Sequence, residues 1–339
     1  MRWLIAGGLI AIATALAGAT YVYAQHQCLC STGTDSGDVT VTVTRGQSLA
    51  GVRDTVADAG LIRCPDAWYW YARFNGLDRQ LKAGEFSLSR QLSGYDVLAR
   101  LVEGKAVEYS VTLIEGWTAA QAIAAIQAHD AITATIPSGT RETDWLAAIG
   151  AQESRLEGLL FPSTYRFERG TTDVAVVGRA YRLMRKELAD AWEQRGEGLP
   201  FDTPYAALTL ASIIEKETAR DDEREAIAGV FVRRLHKGMR LQTDPTVIYG
   251  LGDRYDGNIR RRDLVTDTPY NTYTRKGLTP TPIALPGRAS LRAAVNPSDG
   301  DALFFVATGL ADGSHTFSAT EQEHNAAVAV YLERLRARN

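Results

Sequence analysis

The sequence predicts an α+β protein with a single amino-terminal transmembrane helix, a subdomain of small βα units, and a mixed α/β domain with a glutamate borne at a helix end. Three observations carry this: a charge-free apolar run at the amino terminus, strand-turn-helix units recurring between residues 39 and 135, and longer helical text from 136 onward that includes Glu215-Lys216-Glu217. The chain has 339 residues, 45% apolar and 23% charged, which is ordinary globular composition at a length that suits about two domains. Thirty-seven basic against forty acidic side chains leave a net charge of −3 with no long block of one sign, so nucleic acid is excluded as the expected partner.

The run from Trp3 to Ala24 carries no charge. At a helical rise of about 1.5 Å per residue it matches the thickness of a bilayer's hydrocarbon core. Only Arg2 precedes it and no Lys or Arg follows until Arg45, so the positive-inside bias puts the amino terminus in the cytoplasm and the rest of the chain outside. Residues 1–25 then form the cytoplasmic tip and anchor, and residues 26–38 a linker. A cleaved secretory signal is the alternative, because Val22-Tyr23-Ala24 resembles a cleavage site, but the run exceeds the usual signal core of about 7 to 15 residues. Either way the compartment is oxidising, and Cys64 is expected to pair with Cys28 or Cys30, leaving one thiol free. Three cysteines do not make a four-ligand zinc spacing.

Residues 39–135 repeat one plan. Val39 to Thr44 alternates as a strand does, and Arg45-Gly46-Gln47-Ser48 turns into a helix carrying Leu49, Val52, Val56 and Leu61. Phe86-Ser87-Leu88 is followed by a capping box, Ser93 with Asp96, and by Val97, Leu98, Leu101 and Val102. A third copy runs from the strand Tyr109 to Ile114, through Glu115-Gly116-Trp117, to a helix capped by Thr118 with Gln121 and bearing Ala122, Ile123 and Ile126. Such units resemble LysM-type modules, which bind the N-acetylhexosamine chains of cell walls; a plain scaffold of capped helices is the other reading. Trp68, Tyr69, Trp70 and Tyr71 form an aromatic cluster, part of which must face the core while part is free to stack on sugar rings.

From Glu142 to Gly198 the text is helical, with Trp145, Leu146 and Ile149 and then Val174 to Trp192, interrupted at Pro162. After the Gly and Pro punctuation of residues 196–204 a new helix begins near Tyr205. Taking about 100° per residue from Ile213, the residues Ala206, Ala207 and Leu210 fall within about 120° and Glu217 at about 40°, inside the same apolar stripe. Glu215 falls near 200°, on a face expected to be solvated. A carboxyl pressed against an apolar wall at a helix end loses hydration of its charged form, so its pKa rises and it can hold a proton near neutral pH, as a general acid must. The rival reading pairs Glu217 with Arg220 or Arg224 as a simple helix closure.

Two polar segments follow. Gly238 to Gly250 reads as a loop entering a short helix, with Thr243 or Asp244 as cap and Pro245 in the first turn. Thr268 to Tyr273 joins two phenols and an amide, equipment for stacking on pyranose faces and hydrogen-bonding acetamido groups. The carboxyl end supplies a strand from Leu303 to Ala307, the Asp312-Gly313 turn, and a helix from about Thr320 to Ala337. His315 is a secondary site candidate and His324 a weaker one.

Glu215-Lys216-Glu217-Thr218, Leu241 to Gly250, Tyr270-Asn271-Thr272-Tyr273, and Gly277-Leu278-Thr279-Pro280 through Asn296-Pro297 resemble the YceG-like family, the endolytic murein transglycosylases. Leu81 to Phe86, Glu115-Gly116, Phe161-Pro162, His315-Thr316-Phe317 and His324-Asn325 extend the resemblance over nearly the whole chain. It implies a single-pass inner-membrane protein, a LysM-like region over 39–135, and a catalytic domain over 136–339 that cleaves peptidoglycan glycan strands internally. The family's catalytic glutamate is the one followed by Thr, here Glu217. The resemblance further implies that Glu217 protonates the glycosidic oxygen between N-acetylmuramic acid and N-acetylglucosamine, then accepts the muramyl C6 hydroxyl proton to leave a 1,6-anhydro end. Gln242, Asp244, Tyr270, Asn271 and Tyr273 are the expected sugar-binding residues, no metal or cofactor is needed, and peptidoglycan synthases are the implied partners, with strand termination as the outcome. Two other functions compete: a muramidase in which Asp244 or Asp267 activates water, and a non-catalytic membrane-tethered adaptor that only binds wall.

Overall fold

A computed structural model describes the backbone of residues 2–338 and the side chains of residues 12–337. The chain divides into two compact units, the first made of residues up to Tyr109 with Arg166–Gly170, the second of Ser110–Tyr165 with Thr171 onward.

Unit 1 begins with α1 (Arg2–Cys30), followed by β1 (Asp38–Val43), α2 (Leu49–Asp58), α3 (Pro65–Phe74), β2 (Gly84–Ser89) and α4 (Gly94–Glu103). The anchor expected over Trp3–Ala24 lies partly outside the described side chains; among the described residues no helix is long and apolar enough to cross a membrane. β1 and β2 pair antiparallel, with Val41 opposite Phe86, and Val41, Val43, Phe86 and Leu88 face inward on alternate positions. Onto them pack Val52 and Val56 of α2, Trp68 and Ala72 of α3, and Val97, Leu98 and Leu101 of α4. Ser48 caps α2, and Ser93 with Asp96 forms a full capping box on α4, the latter as the residue pattern predicts.

The aromatic cluster of α3 splits by helical geometry. Trp68 is buried and its indole N–H donates to the Gly94 carbonyl at 3.0 Å, whereas Trp70 stacks on Phe74 with centroids 5.5 Å apart and both rings are exposed. Cys64, at the N-cap of α3, is disulfide-bonded to Cys28 of α1 with Cα atoms 6.3 Å apart, and Cys30 is free and exposed. The bond closes a loop spanning 36 positions. Cys64→Ser is therefore expected to lower the stability of unit 1 by about 3 kcal/mol, and reductant to do the same to the native chain, read by thermal unfolding in its presence and absence.

The third strand-helix copy does not join the first two. β3 (Glu108–Thr112) pairs with β5 (Thr164–Glu168), and α5 (Ala119–Gln127) lies in unit 2. Unit 2 continues with β4 (Ile132–Thr133), α6 (Glu142–Ile149), β6 (Thr171–Thr172), which pairs parallel with β4, and the long α7 (Asp173–Glu193). Asp173 at the start of α7 is fully buried and accepts from the backbone of Thr135, Ile136 and Val174 and from the side chains of Thr135 and Gln127. Then come α8 (Pro204–Glu217), α9 (Arg224–His236), α10 (Asp244–Leu251), α11 (Arg261–Val265), α12 (Arg288–Val295), the antiparallel pair β7 (Phe304–Ala307) and β8 (His315–Ser318), and α13 (Glu321–Arg338).

The helix that carries Glu217 is the centre of unit 2. Thr203 accepts from the Ala206 N–H at 3.2 Å and Pro204 occupies the first turn, so α8 starts where the punctuation indicates. Every residue from Ala207 to Ile214 is buried, because α7, α9, α10 and α12 pack around it. The helix ends at Glu217 because Thr218 turns to an extended backbone, φ −145° and ψ 141°.

Candidate active site

The end of α8 leaves Lys216 exposed but buries the Glu215 side chain between α9 and α12, and this corrects the angular reading of Glu215. Its side chain is buried, lies 3.6 Å from the Arg224 guanidinium, and accepts from Gly287 N at 2.9 Å and Ser290 Oγ at 2.7 Å. Glu215 thus ties α8 to α9 and α12. Glu217 has no ion-pair partner among the described residues; its hydrogen-bond donor is Thr243. Arg224 serves Glu215 and Asp221, and Arg220 serves Asp222 in the same way, so neither arginine closes the helix through Glu217.

Glu217 keeps part of its surface open to solvent, while its carboxyl end is crowded by protein. That loss of hydration pushes its pKa from the ordinary 4.5 up to about 7, with the nearby Asp244 charge adding to the rise and the Thr243 hydroxyl and the Arg234 cation opposing it. As the last residue of α8 it also sits at the negative end of a helix dipole, which disfavours a carboxylate there.

Thr243 is the N-cap residue of α10, yet its hydroxyl makes no capping bond and instead donates to Glu217 Oε1. Three features aim it. Gln242 adopts φ 51°, the left-handed region that costs a non-glycine residue about 1 kcal/mol. Its N–H donates to Thr272 O at 3.2 Å, and the Thr243 N–H donates to Thr272 Oγ1 at 3.1 Å. Thr246 Oγ1 lies 2.9 Å from Thr272 Oγ1 and donates to Thr243 O. Replacing Thr243 by Val removes the one hydroxyl that favours the charged form of Glu217. The alkaline limb of kcat/KM is then expected to move up by about one pH unit, as read from a pH-rate profile on soluble glycan strands.

The structure brings some predicted residues to Glu217 and not others. Asp244 is exposed and accepts from the Tyr273 hydroxyl at 2.6 Å; burial, then the Asp244 hydrogen bond, pushes the Tyr273 phenol up. The Gln242 side chain is exposed beside them. Tyr270 belongs to a second group: its hydroxyl is 2.9 Å from Thr281 Oγ1 and its ring meets Tyr249 edge-on at 4.9 Å. Asn271 holds a loop together. It is buried, its amide nitrogen donates to the carbonyls of Asp263, Leu264 and Thr266, and its oxygen accepts from Tyr273 N.

Asp267, the other expected water-activating base, is locked by Arg275 at 2.8 and 2.9 Å and by Thr274, which draw its pKa down to about 2. His315 is bound through its ring and its backbone N–H to Glu223, at 2.7 and 2.9 Å, a tie between β8 and the start of α9. His324 stacks on Phe304 at 5.2 Å, and burial pushes its pKa down.

Two buried charged residues gave no sequence signal. Arg234, on α9, is buried and donates to Leu303 O at 2.6 Å and to Leu241 O and Arg240 O at 2.7 and 3.2 Å, fixing the loop that presents Thr243. Glu157 is buried in an irregular segment without periodicity, accepts from Ala119 N and Tyr249 Oη at 2.9 and 3.2 Å, and burial raises its pKa to about 7.

The YceG-like family profile matches residues 41–330. An endolytic murein transglycosylase of Bacillus subtilis (strain 168) is 29% identical over 310 residues, 87% of this chain and 85% of that protein. The endolytic murein transglycosylase of Streptococcus pneumoniae serotype 2 (strain D39 / NCTC 7466) is 28% identical over 326 residues, again 87% of this chain but 58% of the longer relative. The crystal structure of a YceG-like protein from Listeria monocytogenes shares 30% identity with a TM-score of 0.51, covering 86% of this chain and 99% of that one.

Proposed function

The chain belongs to the YceG-like family, and from that premise we propose that it is an endolytic murein transglycosylase, a lyase that cleaves peptidoglycan glycan strands internally. The observation that carries the reading is Glu217: a carboxyl with its pKa raised to about 7, partly open to solvent, hydrogen-bonded by the Thr243 hydroxyl and in no ion pair among the described residues.

Protonated Glu217 gives its proton to the oxygen linking N-acetylmuramic acid to N-acetylglucosamine, and the C1–O bond breaks. The muramyl acetamido oxygen supports the electron-poor C1. The carboxylate left behind is stabilised by Thr243, which makes Glu217 a stronger acid than burial alone allows. Glu217 then accepts the C6 hydroxyl proton as O6 bonds to C1, closing the 1,6-anhydro ring without water. Mass spectrometry of the new strand ends tests this: anhydro ends are expected, and reducing ends would overturn it in favour of a muramidase. The muramidase reading has one observation behind it, the Asp244 carboxylate close enough to raise the Glu217 pKa and held by Tyr273.

The reading extends to placement. Trp3–Ala24 anchors the protein in the inner membrane with the amino terminus cytoplasmic and the catalytic unit outside, a placement supported by the exposed Ile12, Leu16, Val22 and Tyr23 of α1 and by a disulfide suited to an oxidising compartment. The unit 1 module around β1 and β2 is LysM-like, with Trp70 and Phe74 as its exposed stacking surface. Cleavage beside the membrane ends strand elongation, and peptidoglycan synthases are the partners.

A further inference from the structure

A cavity of about 300 Å³ opens at the far end of α10 from Thr243, lined by Val247, Gly250 and Leu251 of that helix and by Arg254, Arg260, Arg262, Asp263 and Thr266 beyond it. The lining holds three arginines and one aspartate, with Asp256 bonded to one of the arginines from outside it. Arg260 is held by Asp256 at 2.6 and 3.1 Å, but Arg262 approaches Asp263 only at 3.7 Å, and Arg254 reaches no carboxylate among the described residues, making one long bond to Leu251 O at 3.4 Å. Arg254 and Arg262 are both exposed at the rim. Like cations gathered around a concave, partly enclosed site favour an anion, and planar guanidiniums suit a carboxylate or phosphate.

The cavity is built from the elements that build the catalytic site. α10 begins at Asp244, beside Glu217, and its last turn forms a cavity wall, so the two sites are separated by roughly 10 Å of helix. Asn271 joins them from the other side: its amide holds the carbonyls of Asp263 and Thr266 in the cavity wall, while the adjoining Thr272 positions Thr243. At Gly250 an added Cβ would lie 3.1 Å from Thr268 Oγ1 and 3.2 Å from Tyr270 Cβ, so a side chain there would crowd the wall.

We infer that this arginine-lined cavity is an anion subsite of the glycan strand, taking a negatively charged substituent carried near the cleaved linkage: the carboxylates of a stem peptide or the diphosphate of a lipid-linked end. The inference rests on the transglycosylase reading. The protein thereby selects charged, immature strands over strands stripped of their substituents.

The full chain carrying Glu217→Gln serves as a binding form, and calorimetry compares three probes: a short strand bearing stem peptides, the same strand stripped by an amidase with the lactyl carboxylates so exposed capped as methylamides, and that capped strand carrying a lipid diphosphate. At least one charged probe is expected to bind about tenfold tighter than the stripped strand, with the stronger one identifying the source of the charge. Arg254→Ala with Arg262→Ala is expected to bring that ratio close to one and flatten its salt dependence, whereas Arg254→Lys with Arg262→Lys keeps most of it. Equal binding of all three probes, or a ratio that survives both alanines, overturns the subsite. The ratio is read without turnover. If Glu217→Gln still cleaves strands, the catalytic assignment falls, while the cavity is judged by its own numbers.

Discussion

Glu217→Gln is expected to lower strand cleavage by about a thousandfold or more, because the same group serves first as acid and then as base and an amide can do neither. Loss of 1,6-anhydro ends with retained wall binding is the expected result; unchanged cleavage would leave only a tethered adaptor. The same variant has a stability signature that a purely structural glutamate would not show. The folded-state pKa of Glu217, about 7, lies above its ordinary value of 4.5, so the native state binds the proton more tightly than the unfolded chain. Wild-type stability therefore falls as pH rises from about 4.5 to 7, and the neutral glutamine does not share that loss. Above pH 7 the variant should be the more stable protein by roughly 2 kcal/mol, the solvent-open side of the residue screening part of the full value. Below pH 4.5 the two should unfold together. Denaturant titrations at pH 4 and pH 8 decide it.

Arg234→Met is expected to have the largest effect on stability of any single change near the site, about 3 kcal/mol. Its buried guanidinium donates to three carbonyls, those of Leu303, Arg240 and Leu241, and a methionine of similar length leaves all three without their donor. Arg234→Lys should recover little, since a single ammonium cannot hold the same fork of acceptors. Activity should fall beyond what unfolding explains, because Leu241 and Arg240 lead directly into Gln242 and Thr243. Removing the cation also takes away one of the two influences that hold the Glu217 pKa down, so the residual activity should extend to higher pH. A variant that unfolds normally and keeps the wild-type pH profile would show that Arg234 neither anchors the loop nor reaches Glu217.

Much of the local structure was legible because short-range chemistry decides it. Ser93 with Asp96 and Thr118 with Gln121 cap helices with side chains a few positions from the groups they satisfy, a relation that survives any tertiary arrangement. Of the aromatic cluster, the one-turn spacing of Trp70 and Phe74 sets them on one face, but only the packing of α3 shows that Trp68 faces the core. Glu215 illustrates where periodicity fails. An angle on a helical wheel separates two faces only when solvent covers one of them, and α8 is enclosed by four helices. Glu217 stands apart from Glu215 for a different reason: Arg224 and the sequence-distant Gly287 and Ser290 converge on one carboxylate and not on the other.

From the residues alone came the family resemblance, the choice of Glu217 as the candidate acid, the helix starts and the short loop-helix entry at Thr243, all set by motifs and contacts within a few positions. Only the tertiary structure decided that Cys28 pairs with Cys64, that Asn271 clamps a loop, that Asp267 is held by Arg275, and that Thr243 turns its hydroxyl from its own helix to a glutamate 26 positions earlier. The physical reason is common to all four. Each depends on which of several chemically equivalent partners is brought within hydrogen-bonding or bonding distance, and that choice belongs to the packing of elements far apart in the chain.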